Sequence, residues 1–202
     1  ENLYWIAEDN NRWEYQYIRI ADIDASPTGN WFADAGWIPI GDTSTRFTGS
    51  YNGQRHTIDG LVIDRLTDYI GLFGVTEGAI IENLTLSDFD IRGGSYVGSL
   101  AGSNDNYSTI NNCCSNGYVT GEYNVGGLTG QNSYHSEINT SYSAGMVNGT
   151  EIVGGLTGRI SQSIIQNSYS LAGVQGNMYV GGLAGNDLGD SVFNNCYSKG
   201  SV

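Results

Sequence analysis

Few residues of this 202-residue chain could do chemistry: two histidines, three cysteines, and acidic pairs at Asp22/Asp24, Asp88/Asp90 and Asp187/Asp190. His56 and His135 lack the His-Glu-x-x-His spacing that puts two imidazoles on one metal. His56 reads as structural and His135 as a solvated loop residue. No Gly-x-Ser-x-Gly elbow marks a serine nucleophile. A glycosidase needs two carboxylates across one cleft, about 5 to 10 Å apart. Of the acidic pairs, Asp88/Asp90 reads as one strand face, yet no acids recur beside them. A lyase would want a basic residue near bound calcium, but Arg92, Arg159 and Lys199 are scattered. Calcium nonapeptides and EF-hand loops are missing, and the acidic pairs offer at most a weak ion site. We therefore expect no enzyme, no metal site and no cofactor.

What must position any site is a repeat. The apolar residue before the first glycine of Tyr69-Ile-Gly-Leu-Phe-Gly74, Tyr96-Val-Gly-Ser-Leu-Ala-Gly102, Asn124-Val-Gly-Gly-Leu-Thr-Gly130, Ile152-Val-Gly-Gly-Leu-Thr-Gly158 and Tyr179-Val-Gly-Gly-Leu-Ala-Gly185 falls at 70, 97, 125, 153 and 180, in steps of 27 or 28. A second run keeps phase: Ile81-Glu-Asn-Leu-Thr, Ile110-Asn-Asn-Cys-Cys, Ile138-Asn-Thr-Ser-Tyr, Ile165-Gln-Asn-Ser-Tyr and Phe193-Asn-Asn-Cys-Tyr. A third, shorter run includes Tyr118-Val-Thr-Gly121 and Met146-Val-Asn-Gly149. Short β-prone runs between Gly, Ser and Asn cannot bury a face alone. Stacked as solenoid coils, each pairs in parallel with its counterpart about 4.8 Å away.

The predicted fold is all-β: a right-handed parallel β-helix of about six coils with three short strands per coil. Ile70, Val97, Val125, Val153 and Val180 form one inward column. Leu100, Leu128, Leu156 and Leu183 form a second, and Ile81, Ile110, Ile138, Ile165 and Phe193 a third. The repeated glycines are expected to turn corners or take positive φ. Asn83, Asn112, Asn167 and Asn195 align as a turn ladder, with Thr140 in the remaining slot. Cys113 and Cys196 share an inward slot with Leu84, Ser141 and Ser168. Three coils, about 14 Å, separate them, too far for a disulfide, and a Cys113–Cys114 bond would be strained, so the cysteines read as small buried thiols.

Tyr142, Tyr169 and Tyr197 also align, following Thr85 and Cys114. Stacked tyrosines can stabilise a sheet face or present a sugar-binding strip. They are the candidate ligand-binding residues.

Residues 1–64 differ. They hold all four tryptophans and start with a pattern suited to one short helix and then a strand. We expect an aromatic-rich N-terminal cap and first coil over 1–64, and one continuous run of coils over 65–202, stopping mid-unit at Gly200-Ser-Val202. A divergent cap would shield strands and apolar interior left open at a solenoid end. Glu1 in place of an initiator Met, and no signal-peptide pattern, suggest a processed protein or part of a longer one.

The segments Val125-Gly-Gly-Leu-Thr-Gly130, Val153-Gly-Gly-Leu-Thr-Gly158 and Val180-Gly-Gly-Leu-Ala-Gly185 resemble the GLUG motif, named for its Gly-Leu-x-Gly core. The lead-in Ala21-Asp-Ile-Asp24, Trp37-Ile-Pro-Ile-Gly41 and Phe47-Thr-Gly…Asn52-Gly-Gln-Arg-His-Thr-Ile58 resembles the segment that commonly precedes such repeats. Gly71-Leu-Phe-Gly74 is one residue short of the pattern, and Ser99 replaces its second glycine in the next unit. The resemblance implies a bacterial surface protein, as in adhesin-like proteins and the non-catalytic regions of immunoglobulin A proteases. It names no ligand.

A formal charge of −13 opposes binding to nucleic acid or anionic membrane. No stretch approaches the roughly 20 apolar residues of a membrane span. The expectation is a non-catalytic structural or adhesive module, secreted or on the cell surface. Its partners would be further repeats or domains of a parent chain and a host or cell-surface glycan or protein. The alternative is a carbohydrate-binding or carbohydrate-active β-helix.

Overall fold

A computed structural model describes residues 3–202. It is an all-β parallel solenoid of about five turns. One full turn shows its plan. Strand Ser95–Val97 is followed by Ala101–Asp105, Thr109–Asn111 and Cys114–Thr120. Each pairs in parallel with its counterparts one turn above and below, except that Ser95–Val97 meets the turn below through the single bridge Ile70–Val97. Stacked along the axis they make sheets 1 to 4, of four, five, seven and nine strands respectively.

Four strands per turn replace the three expected. The Val-Gly-Gly-Leu-x-Gly run spans sheets 1 and 2, while the run beginning at Ile110 is cut at Asn112 between sheets 3 and 4. The third run is the far half of the long sheet-4 strand. Sheet 2, with one strand per turn, counts five turns rather than about six. Before Tyr69 the chain adds strands only to sheets 3 and 4, with single bridges from Ile40 and Phe47 to sheet 2.

The inward columns are as the alternation requires. Ile70, Val97, Val125 and Val153 are buried, as are Leu100, Leu128 and Leu156, and Ile81, Ile110, Ile138 and Ile165. Cross-strand partners are in register, Ile110 opposite Ile81 and Ile138. Val180 and Leu183 are partly buried against the core, and Phe193 is 41% exposed because nothing stacks above this last strand of sheet 3.

Polar columns share the interior. The Ser136 and Ser163 hydroxyls each accept the backbone N–H of the equivalent residue one turn below, at 3.2 Å. Asn104 is fully buried, donating to Asn132 Oδ1 at 2.7 Å and accepting from the Thr76 hydroxyl at 3.1 Å. Such pairing offsets the cost of burying amides and hydroxyls.

The motif glycines stand at the corner between sheets 1 and 2, as expected, but not by taking positive φ. None has positive φ; the residue before each valine does, with Tyr96 at 58°, Asn124 at 53°, Ile152 at 58° and Tyr179 at 54°. Sheets 1 and 2 instead meet backbone to backbone. A Cβ on Gly126 would lie 2.1 Å from the Thr129 carbonyl and 2.6 Å from the Gly158 nitrogen. Glycine is needed there for close approach.

The corner between sheets 3 and 4 takes a left-handed residue in every turn, with φ of 50–55° at Asn83, Asn112, Thr140, Asn167 and Asn195. Asparagine tolerates this conformation. Its amide also bonds along the axis, Asn112 donating to Asn83 at 2.7 Å and Asn195 to Asn167 at 3.1 Å. Where Thr140 interrupts the column, Asn139 accepts from Asn167 at 3.1 Å and restores it.

No helix occurs between residues 65 and 202. The N-terminal segment contains helix Leu3–Ala7 and strand Gln16–Ile18, the predicted order. Leu3, Ile6, Trp13 and Trp37 join the same buried cluster as the first turns. Among the described residues no helix is long and apolar enough to cross a membrane.

Candidate functional site

Tyr142, Tyr169 and Tyr197 open consecutive sheet-4 strands, in register with each other and with Cys114 and Thr85. The pleat turns them outward, while the adjoining Ser143 and Ser170 point in and are buried. Their rings stack, with centroids 4.9 Å apart in both pairs and interplanar angles of 4° and 1°.

The Cys114 thiol next to Tyr142, and then partial burial, push that phenol above its ordinary range. Burial and then the neighbouring Tyr197 do the same to Tyr169. Each stacked ring gives its face to its neighbours and leaves edge and hydroxyl to solvent. The two outer faces of the stack belong to Tyr142, on the Cys114 side, and to Tyr197, with the Lys199 ammonium 5.4 Å from the Tyr197 centroid.

Two further aromatic contacts escaped the repeat comparison. Tyr69 and Tyr96 stack at 4.6 Å and 1° where sheet 1 turns, both at positive φ. Tyr107 stacks on His135 at 5.2 Å, so His135 is a packed corner residue and not merely solvated. The signal for the first pair was present in equivalent motif positions, Tyr69 and Tyr96. The second needed the corner register.

The other chemistry-bearing residues remain apart. All three cysteines are free, including the adjacent Cys113 and Cys114. Cys113 fills its inward slot, and burial pushes its thiol up to about 12. His56 Nδ1 lies 3.1 Å from Asp22 Oδ1, which also accepts the Thr57 N–H at 2.8 Å. Those bonds, the Thr57 one foremost, hold Asp22 below the usual carboxylate range. Asp88 occupies a β-bulge at φ 49°, the point where the register between neighbouring sheet-4 strands slips. Among the described residues no three His, Cys, Asp or Glu side chains gather as a metal site would require.

No family model matches the chain. It is 42% identical over 112 residues to Halomucin of Haloquadratum walsbyi, covering 52% of this chain and 1% of that protein. It is 38% identical over 107 residues to a "Putative Gly-rich membrane protein" of Evansella cellulosilytica, covering 48% of this chain and 12% of that one. The chain thus spans a small part of either relative. A crystal structure titled as a "putative immunoglobulin A1 protease" from Bacteroides ovatus superposes with a TM-score of 0.67 at 20% identity, covering 91% of this chain and 68% of that one. At that identity the likeness is one of fold: a parallel β-solenoid.

Proposed function

We propose that the chain is a GLUG-type structural and adhesive module of a secreted or cell-surface protein, a stiff scaffold with a lateral binding face and no catalytic role. The observation carrying this reading is the unbroken stacking of inward columns. A stack of short parallel strands, each bonded to the next turn, resists bending and separates whatever lies at its two ends. The names of the two relatives, one a mucin and one a membrane protein, support a surface setting, and so does the acidic balance of the chain. Residues 1–64 fit the role of a cap followed by the first coil, and 65–202 the role of the rod.

The module takes no nucleic-acid partner and does not insert into a membrane. Its partners are further repeats or domains of the parent protein and a ligand on another surface. Antibody labelling of intact cells against lysed ones tests the location; labelling only after lysis would refute it. Release of reducing sugar or peptide fragments by the purified chain would refute the non-catalytic reading.

A second reading, a carbohydrate-binding or carbohydrate-active β-helix, rests on Tyr142, Tyr169 and Tyr197. Their stacking argues for a ladder rather than a platform, since a sugar ring packs on an open aromatic face and these faces are taken up by one another. Saturable glycan-array binding lost in a Tyr142→Ala/Tyr169→Ala variant would favour the sugar strip. Unchanged or undetectable binding leaves the ladder as scaffold.

A further inference from the structure

The N-terminal segment contains a cavity of about 370 Å³ whose lining brings Tyr4, Trp31 and Trp37 together with Asp22, Asp24 and Leu61. We propose that this cavity binds an organic cation, an alkylammonium or quaternary ammonium group, held between the aromatic walls and the two carboxylates.

Three observations carry it. The rings form angled walls rather than one plate. Tyr4 meets Trp31 at 5.3 Å and 71°, and Trp37 at 6.4 Å and 76°. Angled π-faces around a small volume suit a compact cation, whereas a flat sugar ring suits a single open plate. Trp37 backs these rings from inside, buried, with its indole N–H donating to the Leu72 carbonyl at 3.1 Å, so the faces open to a ligand are those of Tyr4 and Trp31. Trp31 is part-exposed, so its ring is open to a ligand.

The second observation is charge. Each carboxylate is anchored through one oxygen. Asp22 Oδ1 accepts from Thr57 and His56, and Asp24 Oδ1 accepts from the Ser26 N–H at 3.0 Å and the Ser26 hydroxyl at 2.6 Å. The second oxygen of each has no hydrogen-bond partner among the described residues and is exposed to solvent. Hydrogen bonding to Ser26 holds Asp24 in its ionised form, as that to Thr57 and His56 does Asp22.

The third is what the lining lacks. Among the described residues no lysine or arginine lines the cavity. Two anions beside aromatic faces, in a chain of net charge −13, make a local potential that concentrates cations.

Choline is the direct probe, with its uncharged carbon isostere 3,3-dimethyl-1-butanol as the matched control. Titration of the full chain at pH 8 and low salt, followed by the Trp31 indole N–H resonance and by calorimetry, should saturate with choline. The isostere should bind about tenfold or more weakly. Asp24→Asn keeps an oxygen for the Ser26 bonds and removes the charge, so it should weaken choline binding severalfold with the melting temperature unchanged. Trp31→Ala should weaken it at least as much. Co-sedimentation with phosphatidylcholine vesicles would identify a lipid headgroup as the source of the cation; binding of free choline without co-sedimentation would identify a soluble or side-chain ammonium. Equal affinity for choline and its isostere, full binding by Asp24→Asn, or no saturable shift would overturn the proposal. Preference for a methyl glycoside over choline would overturn it too.

Discussion

Between residues 3 and 64 the interior is filled by single large side chains, Trp13, Trp37, Phe47 and Tyr51 among them, each with its own environment. From Val97 onward it is filled by short columns: valine on valine, leucine on leucine, serine on serine. The two regions share sheets 3 and 4 and one apolar cluster, so they are one body. Their chemistry differs because their constraints differ. A repeated turn must match the turn below it at every slot, which limits it to small or slender side chains that stack at about 4.8 Å. The N-terminal segment does not repeat and uses helix, 3-10 turns and tryptophan. The structure gathers its mixed aromatic and acidic cavity where that constraint is relaxed, and repeated ladders where it applies.

The sharpest way to break this comparison is to charge a column. Val153→Asp buries an anion between Val125 and Val180 and should cost about 3–5 kcal/mol, leaving little folded protein in a urea titration. Trp37→Ala, in the irregular region, should cost about 3–5 kcal/mol where it sits. In a solenoid the loss should stay local. Hydrogen exchange should therefore quicken around Leu61 and Leu72 while amides near Val153 keep their protection.

Gly154→Ala tests the close approach of sheets 1 and 2. Its Cβ would lie 1.9 Å from the Thr157 carbonyl, and the expected cost is about 1–3 kcal/mol in the same titration. The opposite sign is expected at Ile152, a β-branched residue held at φ 58°. Ile152→Asn should relieve left-handed strain of about 1–2 kcal/mol and offer a donor to the buried, unpartnered Asn124 Oδ1. It should raise the melting temperature, and a lower one would show that the isoleucine packs better than its backbone suggests.

The smallest effect concerns acid. Asp9, Asp22 and Asp24 all lie below the ordinary carboxylate value of 3.8, Asp9 through the Asn11 N–H, and all three sit in the N-terminal segment. A carboxyl depressed by folding stabilises the fold above its unfolded value, and that contribution fades as pH falls through the lower folded one. Below pH 3.8, NMR should therefore show the N-terminal segment loosening slightly before the turns do.

Much of this was legible in the sequence. The period, the inward columns, the asparagine corner and the tyrosine register all follow from residues 27 to 29 apart sharing a type. The number of sides per turn was not. Val125 through Gly130 reads as one apolar run, and the corner inside it depends on two backbones meeting at Gly126 and Gly158, a contact between turns. Glycine's place at a corner was legible, but its backbone state was not. Left-handed corners were expected at glycines but fall on Tyr96, Asn124, Ile152 and Tyr179, residues whose types differ and so send no common signal. The polar columns of Ser108, Ser136 and Ser163, and of Asn104 and Asn132, looked like turn formers because serine and asparagine usually are. The cavity at Trp31 was invisible, since its walls come from four separated stretches of chain.

The central claim is that equivalent residues of successive turns lie one above another along a single axis. Electron paramagnetic resonance between spin labels at Thr57→Cys and Tyr197→Cys, in a background with Cys113, Cys114 and Cys196 replaced by serine, measures this directly. The two sites are joined by the sheet-4 register Thr57–Thr85–Cys114–Tyr142–Tyr169–Tyr197. Five steps of about 4.8 Å predict one narrow distribution near 24 Å, broadened only by the label arms. A broad distribution, or one centred beyond about 40 Å, would contradict stacking in register.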